Sequence, residues 1–373
     1  MCVERGIRTF SHLWSLSTFA VLKTMGRHAL TFLPFFLLAA AVHSPADLCG
    51  QIRGTVNGTV TDSVSGAPLP NTNVYLSSTT IGTNTGRDGK YVLTNIPPGV
   101  FQVVASRVGH GVKAEIIRVA QAETLRMDFP LVPVTLQGDE VQVLAHVNKE
   151  WRRLLARFRK AFFGEGENAP GCTLLNPEVL DLRMEEGTRI LIASTDSVLR
   201  IENTALGYRL FARLGVFEWD LDDDQGRFVL YPRFEPFTSQ DSTGLMRCRS
   251  NRLRSYKGSL KHFLASLAAG TLEQERFLVS SGTLARLRSG ASHPLAPDEF
   301  TLLHVPGESL WKLSFDNWLR VDYRGEHDRV KSYIGLSGKT AVFDDAGNLV
   351  DPLCIEVIGD WTKYRVADML PID

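Results

Sequence analysis

From Gly54 onward the chain alternates apolar and polar positions in short β-branched runs cut by glycine and proline. The runs are residues 54–62 (GTVNGTVTD), 73–78 (NVYLSS), 80–85 (TIGTNT), 89–96 (GKYVLTNI), 99–108 (GVFQVVASRV), 115–120 (EIIRVA) and 125–134 (LRMDFPLVPV). Seven strands spaced roughly ten residues apart predict a β-sandwich. The breaks carry turn chemistry: Asp62 to Gly66 leads into Pro68, Arg87-Asp88-Gly89 makes a hairpin turn, and Pro97-Pro98-Gly99 fixes φ twice before a glycine. Period-two alternation places Tyr91 with Leu93, and Phe101 with Val103, on one face. That assigns both aromatic rings to a core and not to an exposed sugar-stacking platform.

Past residue 150 the period lengthens. Trp151, Leu154, Leu155, Phe158 and Phe162 form a helical stripe over residues 150–163, with Arg152, Arg153, Arg157, Arg159 and Lys160 on the remaining surface. A basic amphipathic helix of this kind either docks on its own domain or lies on an anionic membrane, and docking is expected here. GEGENA at 164–169 follows a helix instead of a strand, so it reads as a loop and not as a nucleotide-binding turn. Strands are expected at 189–193, 198–202, 207–219 and 227–234. In the turn between the last two, Asp220, Asp222 and Asp224 match the first ligand offsets of a calcium loop. Gly226 falls one position late and Tyr231 stands where the closing Glu belongs, which leaves a charged hairpin turn. A helix is predicted over 255–269, with Tyr256, Leu260, Phe263, Leu264 and Leu267 on one face and Gly270 as its stop. Strands follow at 301–305, 310–315, 318–323, 340–343 and 354–361. The fold class is therefore mainly β: a seven-stranded sandwich at 51–133, a linker at 134–149, and an α+β domain at 150–373 with an antiparallel sheet and one or two helices.

Composition adds a compartment. Ala29 to Val42 is apolar but for Thr31, follows Arg27 and His28, and ends in small residues, the pattern of a secretory signal. At this length it falls short of the about 20 residues of a spanning helix. Residues 1–50 are expected to be removed, with Met25 as a candidate true start. The product is exported to the periplasm, the outer-membrane surface or the exterior, with no transmembrane span after cleavage. Cys49 lacks a lipidation context, having Ala46 and Leu48 where a Leu and a small residue belong. Cys172, Cys248 and Cys354 remain in a compartment where disulfides persist, and a Cys172–Cys248 bridge is expected, with Cys354 as competing partner.

The 41 basic and 41 acidic residues cancel, and no nucleic-acid-reading motif occurs, so nucleic acid is the wrong partner. Charge is biased locally instead. Arg247, Arg249, Arg252, Arg254, Lys257 and Lys261 fall within fifteen residues that contain no acid. Arg249, Arg252, Arg254, Lys257 and His262 form a candidate interaction patch for an acidic glycan, lipopolysaccharide or partner protein. On a helical wheel His262 lies opposite Leu260 and Leu264 and is expected to face water or a groove. A Ser259–His262 nucleophile pair lacks a nucleophile elbow and an evident acid. No catalytic residue, cofactor site or metal site is assigned.

The residues Gly58-x-Val60-x-Asp62, Gly66-x-Pro68-Leu69-Pro70-x-x-Asn73-Val74, Gly82-Thr83-x-Thr85-x-x-Asp88-Gly89-x-Tyr91-x-Leu93 and Ile96-Pro97-Pro98-Gly99-x-Phe101-x-Val103 resemble the carboxypeptidase regulatory-like domain. The resemblance implies a transthyretin-like or starch-binding-like sandwich at the N-terminus of a Bacteroidota-type envelope protein, working as a scaffold or interaction module. Between Gln51 and Pro133 the lysines are Lys90 and Lys113, neither in the first strand, which excludes the isopeptide cross-link of related adhesin sandwiches. Zinc carboxypeptidase chemistry needs a His-x-x-Glu pair and a distant second His, and no His-x-x-Glu occurs. His304 with Glu308, and His146 with Glu150, read as surface pairs. Gly138 to Ala145 resembles the end of the same module in TonB-dependent receptors, but the residues beyond it are too few for a plug and a barrel of about 22 strands. Residues 172–180 and 251–264 look like an uncharacterised region found behind this module. The expected function is a non-enzymatic exported envelope protein. The alternative is a glycan- or peptide-processing enzyme, or a carbohydrate-binding protein, with its site in the C-terminal domain.

Overall fold

The computed structural model describes residues 53–134, 149–238, 241–290, 293–294, 299–325 and 329–372. The expected signal segment, Cys49, Gly138 to Ala145 and His146 lie outside the described residues. The molecule is mainly β, with several antiparallel sheets and, among the described residues, four α-helices.

The first strands are β1 (Gly54–Asp62), β2 (Asn73–Leu76), β3 (Gly82–Asn84), β4 (Lys90–Ile96), β5 (Gly99–Ser106), β6 (Lys113–Val119), β7 (Thr124–Arg126) and β8 (Phe129–Leu131). They form two four-stranded sheets, β4-β1-β7 with β8 also on β1, and β3-β2-β5-β6. The count is eight and not seven because the run at 125–134 is two strands. Both pair in parallel with β1, and the chain steps outward between them at Met127 and Asp128. Tyr91 Oη donates to Met127 O at 2.8 Å, and Asp128 Oδ1 accepts from the Thr59 amide at 2.8 Å, so the step is pinned from both sides. Gly58 permits it: a Cβ there would stand 1.7 Å from Met127 O. Tyr91, Leu93, Phe101 and Val103 are buried in the common core with Val56, Val60, Phe129 and Leu131, as the alternation predicts.

Beyond the linker, α1 (Lys149–Phe163) precedes β9 (Cys172–Leu174), β10 (Asp181–Met184), β11 (Ile190–Ser194), β12 (Leu199–Asn203), β13 (Tyr208–Asp220) and β14 (Gln225–Pro236). Long β13 is the spine of this six-stranded sheet. Along one edge it pairs with β12 and then β11, and along the other with β14 throughout. The apolar stripe of α1 packs on the sheet through Leu154, Leu155, Phe158 and Phe162, against Leu182, Leu191, Phe217 and Trp219, and its arginines stay on the surface.

Then come α2 (Ser242–Tyr256), α3 (Leu260–Ala268), β15 (Phe277–Gly282), α4 (Leu284–Arg288), β16 (His293–Pro294), β17 (Phe300–His304), β18 (Leu310–Phe315), β19 (Trp318–Arg324), β20 (Arg329–Leu336), β21 (Ala341–Asp344) and β22 (Ile355–Gly359). A five-stranded sheet, β16-β15-β19-β20-β22, and a three-stranded one, β17-β18-β21, enclose Phe263, Leu264 and Leu267 of α3 in a second core. The helix expected over 255–269 is two helices. Gly258 turns the chain at φ +76°, and the Ser259 hydroxyl caps α3 by accepting from the His262 amide at 3.1 Å. No helix of the described residues is long and apolar enough to cross a membrane.

Candidate functional site

The sandwich meets the six-stranded sheet through backbone. At the tight connection between β2 and β3, the Ser78 amide donates to Pro232 O at 2.7 Å, and the Phe234 amide donates to Thr79 O at 2.8 Å, a parallel bridge onto the outer edge of β14. Ser78 O accepts from the Ile372 amide at 2.9 Å, so the C-terminal segment enters the same joint. Tyr75 Oη donates to Tyr231 O at 3.0 Å, and burial holds its phenol above the ordinary range. Arg233 crosses the joint, pairing with Glu235 at 2.5 Å and lying over the Phe211 ring at 5.2 Å. Gly82 makes room for it, since a Cβ there would come within 2.7 Å of Arg233 Cδ. Glu308 forms an ion pair with Arg118 of β6 and not with His304, whose ring packs edge-on against Trp311.

The candidate patch on α2 and α3 is not one surface. Arg252 is spent in docking α2: its Nε donates to Leu206 O at 2.7 Å and its guanidinium lies 4.0 Å over the Tyr208 ring. Arg254 pairs with Glu167, and Lys257 with Glu275 at 2.7 Å. Arg249 is exposed, as is Arg247. His262, expected at water or a groove, is 2% exposed. Its ring sits among Tyr256, Phe277 and Tyr323, with centroids at 4.9, 4.9 and 5.8 Å. The wheel misplaces it because α3 is covered on more than its Leu260–Leu264 side: Phe277 and Tyr323 arrive from distant strands. Nδ1 accepts from the Gly258 amide at 3.0 Å, so the proton is on Nε2, which donates to Glu275 Oε2 at 3.0 Å. Burial, helped by Lys257, holds the imidazole below its ordinary pKa against the pull of Glu275. Lys257, ahead of the imidazole, lowers the Glu275 carboxyl despite desolvation. His262 and Arg252 are not brought together, and Ser259 Oγ serves the backbone.

The aspartates of the β13–β14 turn are engaged locally. Asp220 Oδ1 accepts from the Asp222 amide at 2.8 Å, Asp222 pairs with Arg189, and Asp224 accepts from Trp219 Nε1 and from Arg365. Arg365 also donates to Ala161 O at 2.9 Å, tying the turn to the end of α1. An open pocket of about 290 Å³ lies beside that helix end, lined by Arg159, Lys160, Phe163, Cys172 and Thr173. Near it Asn168 donates to both Asp368 at 2.7 Å and Ser255 at 2.8 Å, joining the loop, α2 and the C-terminal turn. Burial raises the Asp368 carboxyl.

Residues 55–132 match the family model of the sandwich whose motif residues build the β1, β4 and β5 core above. These residues are a carboxypeptidase regulatory-like domain. No curated protein matches the chain. Among solved structures, a mutant type II cohesin–X-dockerin complex from Acetivibrio cellulolyticus aligns at 17% identity with a TM-score of 0.18, over 21% of this chain and 56% of that one. This chain therefore spans little more than half the length of that structure's chain. A candidate carbohydrate binding protein from Bacteroides uniformis aligns at 8% identity and a TM-score of 0.19, over 78% and 98%. A DUF3823 family protein from Parabacteroides merdae aligns at 9% and 0.18, over 53% and 86%. At these scores the likeness carries no functional argument.

Within the regulatory-like domain, Asp62 closes the first turn: Oδ1 accepts from the Val64 and Ser65 amides at 2.9 and 2.8 Å, and Oδ2 lies 3.0 Å from His110 Nε2. The Ser65 amide and then His110 hold its carboxyl down at about 2. The motif's Asp62 is thus a turn device. Outside this domain, Cys172, Cys248 and Cys354 are present as thiols, so the expected Cys172–Cys248 bridge is not formed in this structure. The sulfurs point to different carbonyls, Cys172 Sγ at 3.7 Å from Asn168 O and Cys248 Sγ at 3.7 Å from Thr204 O. Burial pushes the Cys172 thiol up to about 12, which keeps it protonated and slow to oxidise. Alkylation of the denatured, unreduced protein is expected to label all three; a mass two units lower with two thiols blocked overturns this.

Proposed function

We propose that the protein is an exported, non-enzymatic envelope protein in which the regulatory-like domain is a rigid mount for the C-terminal α+β portion. The observation that carries this reading is the backbone joint between Ser78–Thr79 and β14, reinforced by Tyr75, Arg233 and the Arg118–Glu308 pair. A mount held by main-chain hydrogen bonds fixes orientation in a way that a flexible linker does not. The patterned start of the chain supports export, and what the mount presents is the pair of basic helices.

Two measurements test the reading. The intact chain is expected to unfold in one cooperative transition, and the double variant Tyr75→Phe, Arg233→Ala to separate the regulatory-like domain as an earlier step, weakened by roughly 1–2 kcal/mol. Two transitions in the unaltered protein would overturn the rigid mount. Fractionation with N-terminal sequencing is expected to find the protein in the envelope, beginning near residue 50. An intact Ala29–Val42 segment in the mature protein would sink export, and turnover of a glycan or peptide substrate by the purified chain would favour the enzyme reading.

A further inference from the structure

Two helices of this neutral chain carry a local excess of basic charge. Six basic residues against one acidic lie on α1, and four against none on α2. The two present that charge differently. On α1 the apolar stripe is buried and the outward surface is mostly charged. On α2 the docked side is small, carrying Cys248, Arg252 and the Asn251 amide that donates to Ala205 O at 2.9 Å, so apolar side chains lie outward. Met246 is 74% exposed, Leu253 58% and Leu245 50%. At 100° per residue Met246, Arg249 and Leu253 share the solvent face, with Leu245 on one shoulder and Arg247 and Arg254 on the other. Leu245 and Leu253 stand roughly 12 Å apart along the axis, so the apolar strip runs most of the helix.

We infer that this face of α2 is a docking site for an anionic lipid surface. A convex helix with three protruding apolar side chains offers no groove to a folded partner, but it suits a fluid layer that closes around each side chain. Arg247, Arg249 and Arg254 sit at the height where headgroup phosphates would lie, and their long stems let the guanidinium groups reach that layer while the leucines and methionine enter it. The helix carries no acidic residue, Glu167 pairs with Arg254 alone of its outward arginines among the described residues, and α1 adds charge of the same sign. The charge complementarity is to a lipid face bearing many phosphates, because the arginines are spread along the helix and do not converge on one point.

The inference names a partner for the mounted portion and rests on that reading only for the protein's presence in the envelope. Sedimentation of the purified full chain with vesicles tests it. Vesicles of phosphatidylethanolamine with about one-third phosphatidylglycerol are expected to bind the chain at low salt, neutral phosphatidylcholine vesicles to bind it at least about tenfold more weakly, and added salt to release it. Two surface variants, Leu245→Ser with Met246→Ser and Leu253→Ser, and Arg247→Gln with Arg249→Gln and Arg254→Gln, are each expected to lose at least about tenfold in binding while keeping the unaltered melting profile. Failure of the unaltered chain to bind anionic vesicles, binding by either variant undiminished from that of the unaltered chain, or binding to dextran sulfate with none to vesicles would overturn the proposal. Fractionation reads envelope location separately, so a chain found in the envelope that ignores vesicles would sink this inference and leave the mount standing.

Discussion

Gly258→Ala is expected to cost roughly 3 kcal/mol or more of stability. Three demands meet at Gly258. Its φ of +76° lies where a Cβ strains the backbone, which alone costs roughly 1–2 kcal/mol. A Cβ there would also stand 2.5 Å from Tyr323 Cδ1, in a ring fixed between Phe277 and His262. Finally, its amide donates to His262 Nδ1 and its carbonyl accepts from Trp361 Nε1 at 2.6 Å, so the backbone has nowhere to move without breaking buried hydrogen bonds. Gly270→Ala separates the causes, because Gly270 has φ +66° with nothing within 4 Å of its Cβ position. Denaturant unfolding of the two variants is expected to show a cost of about 1 kcal/mol at Gly270 and a much larger one at Gly258. Equal costs would mean that the ring contact contributes nothing.

How much of this was legible follows from what each feature is made of. The regulatory-like domain is built from period-two alternation and turn glycines, and both are written in the residues: Tyr91, Leu93, Phe101 and Val103 lie on the face that the alternation assigns. The step at Met127–Asp128 left a weaker mark, since two three-residue strands on the same partner read as one run. The break between α2 and α3 was signalled by Gly258-Ser259, a left-handed residue followed by a hydroxyl cap, but Tyr256 and Leu260 stand four apart and carry the apparent helical period across it. The burial of His262 could not be read from its helix, because its cage comes from β15 and β19. Residues 150–373 likewise read as one domain, yet hold two cores, around α1 and around α3. The joint at Ser78–Thr79 was invisible for a different reason. Main-chain hydrogen bonds impose little pattern on side chains, and only Gly82, needed for the approach of Arg233, marks it.

The protein is expected to lose stability as the pH falls below about 6.5, and His262 is the residue that makes it do so. Burial holds the folded imidazole below its ordinary pKa, with Lys257 acting in the same sense and Glu275 opposing. In the window between the folded and unfolded values, the unfolded chain takes up a proton that the folded one refuses. Stability is therefore full above the unfolded pKa and declines as pH drops through it toward the folded value. Protonation at Nδ1 would also end its acceptance from the Gly258 amide, setting two donors face to face in a closed aromatic cage. The Glu275 carboxyl, held down by Lys257 and His262, titrates lower and contributes its own loss only in more acidic solution. His262→Gln keeps a polar side chain that does not titrate in this range. It is expected to be destabilised by roughly 2–3 kcal/mol at pH 7.5, through lost cage packing and a poorer partner for Glu275. Between pH 7.5 and 5 its unfolding free energy is expected to change less than that of the unaltered protein. Parallel pH profiles for the two proteins would place the acid sensitivity elsewhere, whatever the absolute cost of the substitution.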